Sequence, residues 1–308
     1  MKVVISNIHL QEDFDNYRHI FDEHGIEVVL PDVNERLSEG ELLSLMGDVD
    51  GVICGDDDFN RTVLNNAPKL KVISKWGTGT DSIDKSTCRE LGILVCNTPN
   101  AFTNEVADTA MGFILTLARG ILDSDKYMHM GVWKKVPGKA LRELTLGIIG
   151  VGNIGKAVAR RANAFGMVTI GYDKVEIPRT FLQQTGMVVT TKMDLLRSCD
   201  FVTLHCDLNP TSYHIIGHLE LDKMKSTAYL INTARGPLVN EDALIKALDH
   251  GKIAGAALDV FENEPLDPAS PLTRMSNVLL SSHNANTGTM ARKSVHTNSI
   301  RNLLEGMK

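Results

Sequence analysis

The stretch Thr145–Ala162, with the sequence TLGIIGVGNIGKAVARRA, decides the fold of this chain. It predicts an apolar strand, a turn with the pattern Gly-x-Gly-x-x-Gly and a helix, in that order. Gly150 permits the tight turn, Gly152 lets a pyrophosphate approach the backbone, and Gly155 lets the helix pack on the strand. The N–H groups and positive dipole end of the helix would then bind the phosphates. This order indicates a dinucleotide-binding unit.

The next strand supplies an acid that such a unit needs. Residues 168–172 predict this strand, and Asp173 follows it about twenty residues beyond the glycine turn, where a carboxylate binds ribose hydroxyls. Glycine turns also join strands to helices for structural reasons alone, and methyltransferases use similar turns, but an acid at this spacing favours a dinucleotide. Asp173 would repel a 2′-phosphate, whereas Lys174 beside it would attract one. We therefore expect NAD as the cofactor, with the strictness of NAD over NADP left open.

Strands and helical patterns alternate on both sides of this unit. Apolar runs rich in Val and Ile, each followed by a polar segment with helical spacing, are typical of parallel sheets flanked by helices. On the N-terminal side they predict five strands, at 2–6, 26–30, 51–54, 70–74 and 93–96. From the glycine-turn strand onward they predict seven, at 145–149, 168–172, 187–190, 200–204, 228–231, 254–258 and 278–281. Two further helices are expected, one from Ala101 to Gly120 and one from Met290 to Leu304.

The predicted fold class is α/β, with two doubly wound parallel-sheet domains and an active-site cleft between them. A chain of 308 residues has the length of about two domains. We expect a flavodoxin-like substrate-binding domain made of residues 1–98 plus 284–308, and a Rossmann NAD-binding domain made of residues 99–283. The last helix is expected to pack back on the first domain.

Composition argues against several classes of protein. The formal net charge is −6 and no basic cluster occurs, so the chain lacks the electrostatic footprint of a nucleic-acid-binding protein. No apolar run is long enough to span a bilayer, and the start MKVVIS lacks the pattern of a signal peptide. Five cysteines form no C-x-x-C pair, which fits reduced thiols. We expect no membrane or nucleic-acid partner, no metal, and a cytoplasmic location.

Three segments with candidate catalytic side chains each follow a predicted strand of the nucleotide domain. They are Ile231–Gly236 with Arg235, Ala257–Pro265 with Glu264, and Leu280–Asn286 with His283. Because ligands of open α/β sheets bind at the carboxyl ends of the strands, these side chains are expected to face one crevice. Structural alternatives stay open for each: Arg235 capping a helix or pairing with a surface acid, Glu264 exposed in a loop, and His283 buried and satisfied.

Several motifs, in order along nearly the whole chain, resemble the D-isomer-specific 2-hydroxyacid dehydrogenases. They are the glycine turn, Lys75–Asp84, Asn97–Pro99, Thr103–Asp108, Asn232–Gly236 and Asp259–Pro265. The resemblance implies hydride transfer between NAD(H) and the α carbon of a small D-2-hydroxy acid or 2-oxo acid, with 3-phosphoglycerate, glycerate and hydroxypyruvate as candidate substrates. The D stereochemistry rests on the resemblance alone, and the acid, its phosphorylation and the physiological direction stay open.

The resemblance assigns roles that the chemistry supports. His283 matches the acid/base, Glu264 the carboxylate that orients the imidazole, and Arg235 the cation that binds the substrate carboxylate and polarises the carbonyl. The substrate residues would be Lys75, Gly77, Thr78, Gly79, Arg235 and His283. The cofactor residues would be Gly150, Gly152, Asn153, Ile154, Gly155, Asp173, His205, Cys206, Thr211, Thr233, Ala234, Arg235, Asp259 and His283. A structural role for His205 is the alternative.

Two segments depart from the family pattern. The catalytic histidine is followed by Asn284–Gly288 rather than by Gly-Gly or Gly-Ala, so the loop beside the nicotinamide carboxamide is expected to differ in shape. The loop Gly55–Asp58 is acidic where phosphoglycerate-specific relatives place arginines, which would repel an anionic substrate tail. The alternative for this loop is a solvated turn in which Asp58 caps a helix.

Two other functions share this architecture. A formate dehydrogenase carries Gln where this chain has Glu264, so the carboxylate argues against it. A non-catalytic, dinucleotide-sensing regulatory protein keeps the same Arg-Glu-His set and stays open as the alternative. The resemblance also implies a homodimer built on the long helix and on residues Ile121–Pro137, with Trp133 as an anchor or, alternatively, as part of the chain's own core.

Overall fold

The computed structural model describes residues 1–308, and the chain forms two compact units. The first unit contains Met1–Phe102 and Thr287–Lys308, and the second contains Thr103–Asn286. The boundaries expected from the sequence lie within four residues of these positions. Each unit is built on one sheet in which all paired strands are parallel, so the predicted α/β fold class with two parallel-sheet domains is confirmed.

The sheet of the first unit has the strand order β2-β1-β3-β4-β5, which is the flavodoxin-like order. Its strands are β1 Lys2–Ile5, β2 Glu27–Val29, β3 Gly51–Cys54, β4 Val72–Lys75 and β5 Leu94–Cys96. Every residue of β3 and β4 is buried, because helices cover both faces of a parallel sheet. The switch in strand order falls between β1 and β3, where open sheets of this kind bind ligands.

Short helices join these strands. They are α1 Ile8–Glu12, α2 Arg18–Glu23, α3 Glu39–Leu45, α4 Arg61–Asn65 and α5 Lys85–Leu91. Helix α5 begins after Asp84 because this residue is its N-cap: the Asp84 carboxylate accepts hydrogen bonds from the amides of Ser86 and Thr87, both at 3.0 Å. These bonds and those from the two side-chain hydroxyls hold the pKa of Asp84 well below its usual range. The helix ends at Gly92, which adopts the left-handed conformation.

The sheet of the second unit has the order β12-β11-β10-β9-β6-β7-β8, a Rossmann arrangement with one added strand. Its strands are β6 Thr145–Ile149, β7 Val168–Tyr172, β8 Val188–Val189, β9 Phe201–Leu204, β10 Tyr229–Asn232, β11 Gly255–Leu258 and β12 Val278–Leu280. All the strands predicted from the sequence are therefore present. The switch in strand order falls between β6 and β9, so the glycine turn after β6 lies at the position where such sheets bind nucleotides.

Seven helices accompany this sheet. They are α6 Thr103–Arg119, α7 Ile121–His129, α8 Asn153–Ala164, α9 Arg179–Thr185, α10 Lys192–Ser198, α11 His218–Leu221 and α12 Glu241–Asp249. The long helix α6 packs against α8 and buries Ala107, Ala110 and Ile114. The sequence pattern did not predict α7, which follows a left-handed Gly120 and buries none of its residues. Trp133 is 85% exposed, so its alternative placement in the chain's own core is wrong.

The last helix, α13 Thr289–Gly306, packs on β3, β4 and β5 of the first unit, as the sequence predicted. The Ser74 hydroxyl in β4 donates to the Ser299 carbonyl at 2.8 Å. A Cβ at Gly306 would lie 2.6 Å from Cγ2 of Val72, and one at Gly51 would lie 2.8 Å from Cδ1 of Leu303. Glycine at both positions therefore allows the helix to approach the sheet closely. The remaining regular elements are short 3₁₀ turns at Phe14–Asn16, Met46–Asp48, Leu141–Glu143, Gly236–Leu238 and Pro271–Arg274.

Candidate active site

The three glycines after β6 differ in what surrounds them. Gly150 has a φ of +90°, and a Cβ there would lie 2.6 Å from the carbonyl carbon of His205. A Cβ at Gly155 would overlap the Gly150 carbonyl, which shows how tightly α8 packs on the turn. A Cβ at Gly152 would meet nothing within 4 Å. The first and third glycines are thus required by close packing, and the second leaves the backbone open to a ligand.

The N-terminus of α8 is suited to a phosphate. Gly152 is the N-cap residue and provides no side-chain cap to the first turn, which begins at Asn153 and Ile154. The side chain of Ile154 packs against the hydrophobic core, which leaves the backbone of this turn as its binding surface. Backbone N–H groups at a helix N-terminus, beside a glycine that leaves space, are the donors that a pyrophosphate requires.

Asp173, at the end of β7, lies against the same turn. Its carboxylate accepts hydrogen bonds from the amides of Val151, at 2.6 Å, and Val175, at 2.9 Å. The neighbouring Lys174 ammonium donates to the backbone carbonyl of Thr211 at 3.2 Å and also to the hydroxyl of that residue. The carboxylate is therefore fixed beside the glycine turn, where it would repel a 2′-phosphate, while Lys174 is engaged by Thr211.

Polar atoms at the ends of β9 and β10 have no protein partner. The imidazole of His205 pairs through Nε2 with the Thr203 hydroxyl at 2.9 Å, and its buried Nδ1 has no hydrogen bond. Burial lowers the pKa of His205 to about 3, so the ring is neutral. Burial likewise raises the pKa of the Cys206 thiol to about 11. The buried hydroxyl of Thr233 also lacks a partner. Because buried polar atoms are normally satisfied, this lining fits a polar cofactor.

The structure brings His283 and Glu264 together. Nδ1 of His283 lies 2.9 Å from Oε2 of Glu264, and each side chain is 20% exposed. The other oxygen of Glu264 accepts the amide of Phe261 at 3.0 Å, so the carboxylate is held at both ends. His283 follows β12 with a φ of +51°, a backbone conformation that is rare for residues other than glycine and costs energy. The predicted acid/base and its orienting carboxylate are thus a hydrogen-bonded pair.

Asp259 holds the loop that carries His283. The residue follows β11 and is fully buried, and its two carboxylate oxygens accept the amides of Asn284, at 2.8 Å, and Ala285, at 2.9 Å. Its backbone carbonyl accepts the amide of His283 at 2.8 Å. Asp259 therefore fixes the backbone of the loop that carries His283. The sequence suggested Asp259 as a cofactor residue and did not reveal these contacts.

Arg235 lies in a loop whose shape is set by Asn232. The side-chain amide of Asn232 donates to the Arg235 carbonyl at 2.8 Å, and its oxygen accepts the amide of Ala234 at 3.1 Å. A Cβ at Gly236 would overlap the Phe261 carbonyl and lie 2.5 Å from the next backbone nitrogen. The loop that carries Arg235 therefore touches the backbone of the loop that carries Glu264.

In the first unit, Lys75 is engaged internally. It is 4% exposed, and its ammonium donates to the Gly55 carbonyl at 2.6 Å and to Oδ1 of Asp56 at 2.8 Å. Burial of a lysine requires such a partner. The acidic loop thus compensates Lys75 rather than leaving it as an unpaired cation for a phosphate.

A second carboxylate of the acidic loop, that of Asp57, is also hydrogen-bonded within the protein. Asp57 is fully buried and accepts the Ser6 hydroxyl at 2.5 Å and the Leu37 amide at 2.7 Å. The alternative in which Asp58 caps a helix is wrong, because the N-cap of α4 is Asn60, whose side-chain oxygen accepts the amide three residues on at 3.1 Å.

The glycine-rich segment after β4 is braced by the segment after β5. Gly77 has a φ of +120°, its amide donates to the Thr98 hydroxyl at 3.2 Å, and its carbonyl accepts the amide of Thr98 at 2.8 Å. The side-chain amide of Asn97 donates to the Thr78 carbonyl at 2.6 Å. The amide of Gly77 is therefore used within the protein, and Thr78 and Gly79 are the predicted substrate residues of this segment whose amides stay as candidate donors.

Hydride transfer needs a bound dinucleotide and a group that moves a proton, and the second unit carries features for both at the carboxyl ends of its strands. The fold and the site together define a dinucleotide-dependent dehydrogenase. The NAD binding domain of the D-isomer specific 2-hydroxyacid dehydrogenases matches residues 111–285. A glyoxylate reductase from Thermofilum pendens is 41% identical over 281 residues, which cover 88% of this chain and 82% of that protein. The chain belongs to the D-isomer specific 2-hydroxyacid dehydrogenase family.

Two further similarities extend this finding. A D-3-phosphoglycerate dehydrogenase from Methanocaldococcus jannaschii is 39% identical over 287 residues, covering 91% of this chain and 54% of that protein. The crystal structure of a D-lactate dehydrogenase from Aquifex aeolicus, complexed with NAD and lactic acid, has a TM-score of 0.88 and 26% identity and covers 99% of this chain and 97% of that chain. The protein is an NAD-dependent oxidoreductase that acts on small hydroxy or oxo acids.

Proposed function

We propose that this enzyme reduces short, unphosphorylated 2-oxo acids, with glyoxylate and hydroxypyruvate as the first candidates, to the corresponding 2-hydroxy acids. The observation that carries the proposal is the hydrogen-bonded pair of His283 and Glu264 in a loop system that also contains Arg235. The similarity to a relative named glyoxylate reductase supports the choice of acid. Direction, acid and residue roles are all part of the proposal.

Each side chain has one task in this reaction. NADH, when bound, supplies the hydride that reaches the carbonyl carbon. Because Nδ1 of His283 is bound to Glu264, Nε2 is the nitrogen that donates a proton to the carbonyl oxygen as negative charge develops there. Glu264 stabilises the imidazolium before the transfer. The guanidinium of Arg235 binds the substrate carboxylate and draws electron density from the carbonyl.

Charge in the first unit favours an acid without a phosphate. Lys75 is paired with Asp56, and Asp58 adds an exposed carboxylate to the loop that the family resemblance assigns to the substrate tail. A phosphate group near this loop would face net negative charge, which raises its free energy. The amides of Thr78 and Gly79 complete the proposal as donors to a substrate carboxylate.

The test is a panel of acids assayed by oxidation of NADH, with glyoxylate, hydroxypyruvate, pyruvate and 3-phosphohydroxypyruvate at equal concentrations. We expect turnover with glyoxylate and hydroxypyruvate. The kcat/KM for the phosphorylated acid should be at least about tenfold below that for hydroxypyruvate, because repulsion of about 1.4 kcal/mol between its phosphate and the acidic loop produces a tenfold difference. Binding of NADH without turnover of any acid would refute the proposal and favour a dinucleotide sensor.

A phosphorylated substrate is the second candidate, and the similarity to a relative named D-3-phosphoglycerate dehydrogenase favours it. The same panel separates the two candidates. A higher kcat/KM with 3-phosphohydroxypyruvate than with hydroxypyruvate would select the second and would require a cation other than the paired Lys75 to bind the phosphate.

We also propose that two copies of the chain associate through α7 and the segment that follows it. None of the α7 residues is buried, and its surface includes Ile121, Leu122 and Met128, each about half exposed, with Trp133 beyond it. Apolar side chains exposed together indicate an interface, and a second copy provides a matching surface by twofold symmetry. Light scattering should give a dimer for the wild type and a monomer for Leu122→Glu. Leu219→Glu changes a more exposed leucine on α11, 71% against 51% for Leu122, and should stay dimeric; a monomeric wild type would refute the interface.

No helix of the protein combines the length and the apolar character needed to cross a membrane. All five cysteines are free thiols, three of them buried. We propose a reducing, cytoplasmic location, supported by these thiols. Fractionation of the source cells should place the protein with cytoplasmic markers, and recovery of disulfide-linked protein from another compartment would contradict the proposal.

A further inference from the structure

A second histidine–carboxylate pair is formed by His214 and Glu262, and Glu262 lies two residues before the predicted catalytic carboxylate, Glu264. Nε2 of His214 is hydrogen-bonded to Oε1 of Glu262, and both side chains are about one quarter exposed. Neither residue belongs to the predicted catalytic, substrate or cofactor set. His214 also has a φ of +50°, which is unusual for a histidine and indicates that the surrounding structure holds it in place.

The neighbouring asparagine fixes which nitrogen of His214 carries the proton. The side-chain oxygen of Asn240 accepts the amide of Ala243 at 2.8 Å, where it caps α12, so its NH₂ group faces Nδ1 of His214 at 3.1 Å. An NH₂ group can only donate, so Nδ1 accepts and the hydrogen of the neutral ring lies on Nε2. His214 therefore donates to Glu262 without needing a positive charge.

His214 connects the two loops that carry the proposed catalytic groups. Its backbone amide donates to the Pro237 carbonyl at 2.8 Å, and this proline lies two residues after Arg235. Its ring holds Glu262, which lies two residues before Glu264. The residue directly before Glu262 is in turn tied to the proposed catalytic carboxylate, because the Phe261 amide donates to Oε1 of Glu264 at 3.0 Å.

Negative charge near Glu262 makes the hydrogen bond from the His214 imidazole important for keeping Glu262 in place. The amide of Glu262 donates to Oε2 of Glu241 at 3.2 Å, which places a second carboxylate next to it. Burial, together with the negative charges of Glu262 and Asp242, raises the pKa of Glu241. Without the imidazole, Glu262 would lose a hydrogen bond in an acidic surrounding and would move toward water, taking the adjoining backbone with it.

We propose that His214 is a positioning residue for the reaction: through Glu262 and Pro237 it holds the Glu264 loop against the Arg235 loop, so that Glu264 stays hydrogen-bonded to His283. The inference rests on the proposed roles of Glu264 and His283. It assigns no contact with substrate or cofactor to His214, so loss of the imidazole should impair turnover and leave NADH binding intact.

The experiment compares His214→Ala with His214→Gln, whose side-chain NH₂ replaces the Nε2–H donor. We expect the alanine variant to lose about 10- to 100-fold in kcat with a 2-oxo acid, the cost of a displaced catalytic group, and to keep its Kd for NADH. The glutamine variant should recover most of this loss. His250→Ala, at an exposed histidine after α12, is the control and should match the wild type.

A second readout needs no turnover. The imidazole of His283, assigned by its absence in His283→Asn, is titrated by NMR in the wild type, in Glu264→Gln and in His214→Ala. Loss of the carboxylate contact disfavours the imidazolium, so the midpoint should move to lower pH in Glu264→Gln and in the same direction, by less, in His214→Ala. If His214→Ala does not fold, Glu262→Ala breaks the same pair from its other end.

The outcomes are distinct. An unchanged kcat and an unchanged His283 titration in His214→Ala would overturn the positioning role, as would a glutamine variant as impaired as the alanine one. Absence of turnover in the wild type would instead refute the proposed function, and the NMR titration would still decide whether His214 holds the Glu264–His283 pair.

Discussion

Replacing Gly236 by alanine should separate the catalytic loops, because this glycine is where they touch. A Cβ would overlap the carbonyl of Phe261 and lie 2.5 Å from the nitrogen of Glu262, and both obstacles are backbone atoms that no rotamer change can remove. Real Cβ contacts essentially never fall below 3.0 Å, so one loop must move. The depth of the overlap with the carbonyl requires a displacement of about 1 Å, which costs on the order of 100-fold in rate when it misplaces catalytic groups.

The assay is steady-state kinetics with NADH and glyoxylate, combined with urea unfolding. We expect kcat to fall by about two orders of magnitude and the free energy of unfolding to fall by about 1–3 kcal/mol, the usual range for an overpacked site. Gly40→Ala is the control: its Cβ would meet nothing within 4 Å in α3, so activity should be unchanged. A Gly236→Ala enzyme with the kcat of the wild type would show that contact between the two loops does not set the catalytic geometry.

Further predictions concern single side chains of the second unit. His283→Ala should remove most turnover while the Kd for NADH, measured by fluorescence titration, stays the same; retained turnover would contradict the acid/base role. Arg235→Ala should raise the KM for the oxo acid by about 10- to 100-fold, because a hydrogen bond to a charged group contributes about 1.5–3 kcal/mol. An unchanged KM would show that Arg235 does not bind the substrate carboxylate. Asp173→Ser should raise kcat/KM with NADPH by at least about tenfold, since about 1.4 kcal/mol of repulsion at the carboxylate is removed; unaltered discrimination would place cofactor choice elsewhere. The lowered pKa of His205, about 3 against 6.5 when unfolded, predicts full stability above pH 6.5 and a decline as the pH falls toward 3. Urea unfolding should show a decline of up to about 1.4 kcal/mol per pH unit from this group, and a slope that is not reduced in His205→Gln would contradict it.

The strands were predictable because both faces of a parallel sheet are covered. Strand β3 is buried at each of its four residues, so the sequence GVIC is apolar throughout and ends at a glycine-acid turn. The glycine turn was predictable because only glycine tolerates the φ of Gly150 and the contact at Gly155. The sequence placed His283 and Glu264 after strands of one parallel sheet, and the family resemblance implied their pairing; in the structure these strands, β12 and β11, are neighbours.

Other features depend on contacts that no local pattern encodes. Helix α7 buries none of its residues, so its sequence lacks a clear apolar stripe facing a core. The ion pair of Lys75 with Asp56 joins residues 19 positions apart on different strand ends, and either residue alone is equally consistent with a surface position. The contact of Asp259 with the His283 loop and the pair of His214 with Glu262 were missed for the same reason, because the partners lie 25 and 48 positions further along the chain. An acid directly after a buried strand was the signal available for Asp259.

The placement of α13 also determines the order in which the protein can assemble during synthesis. The second unit is one continuous stretch, Thr103–Asn286, whereas the first needs a helix that the ribosome makes only after that entire stretch. Until then, the surface of β3 and β4 that receives Leu303 and lies against Gly306 is uncovered. The nascent N-terminal sheet therefore exposes an apolar face while its neighbour can already fold, and this interval is when the chain is most open to aggregation or to a chaperone.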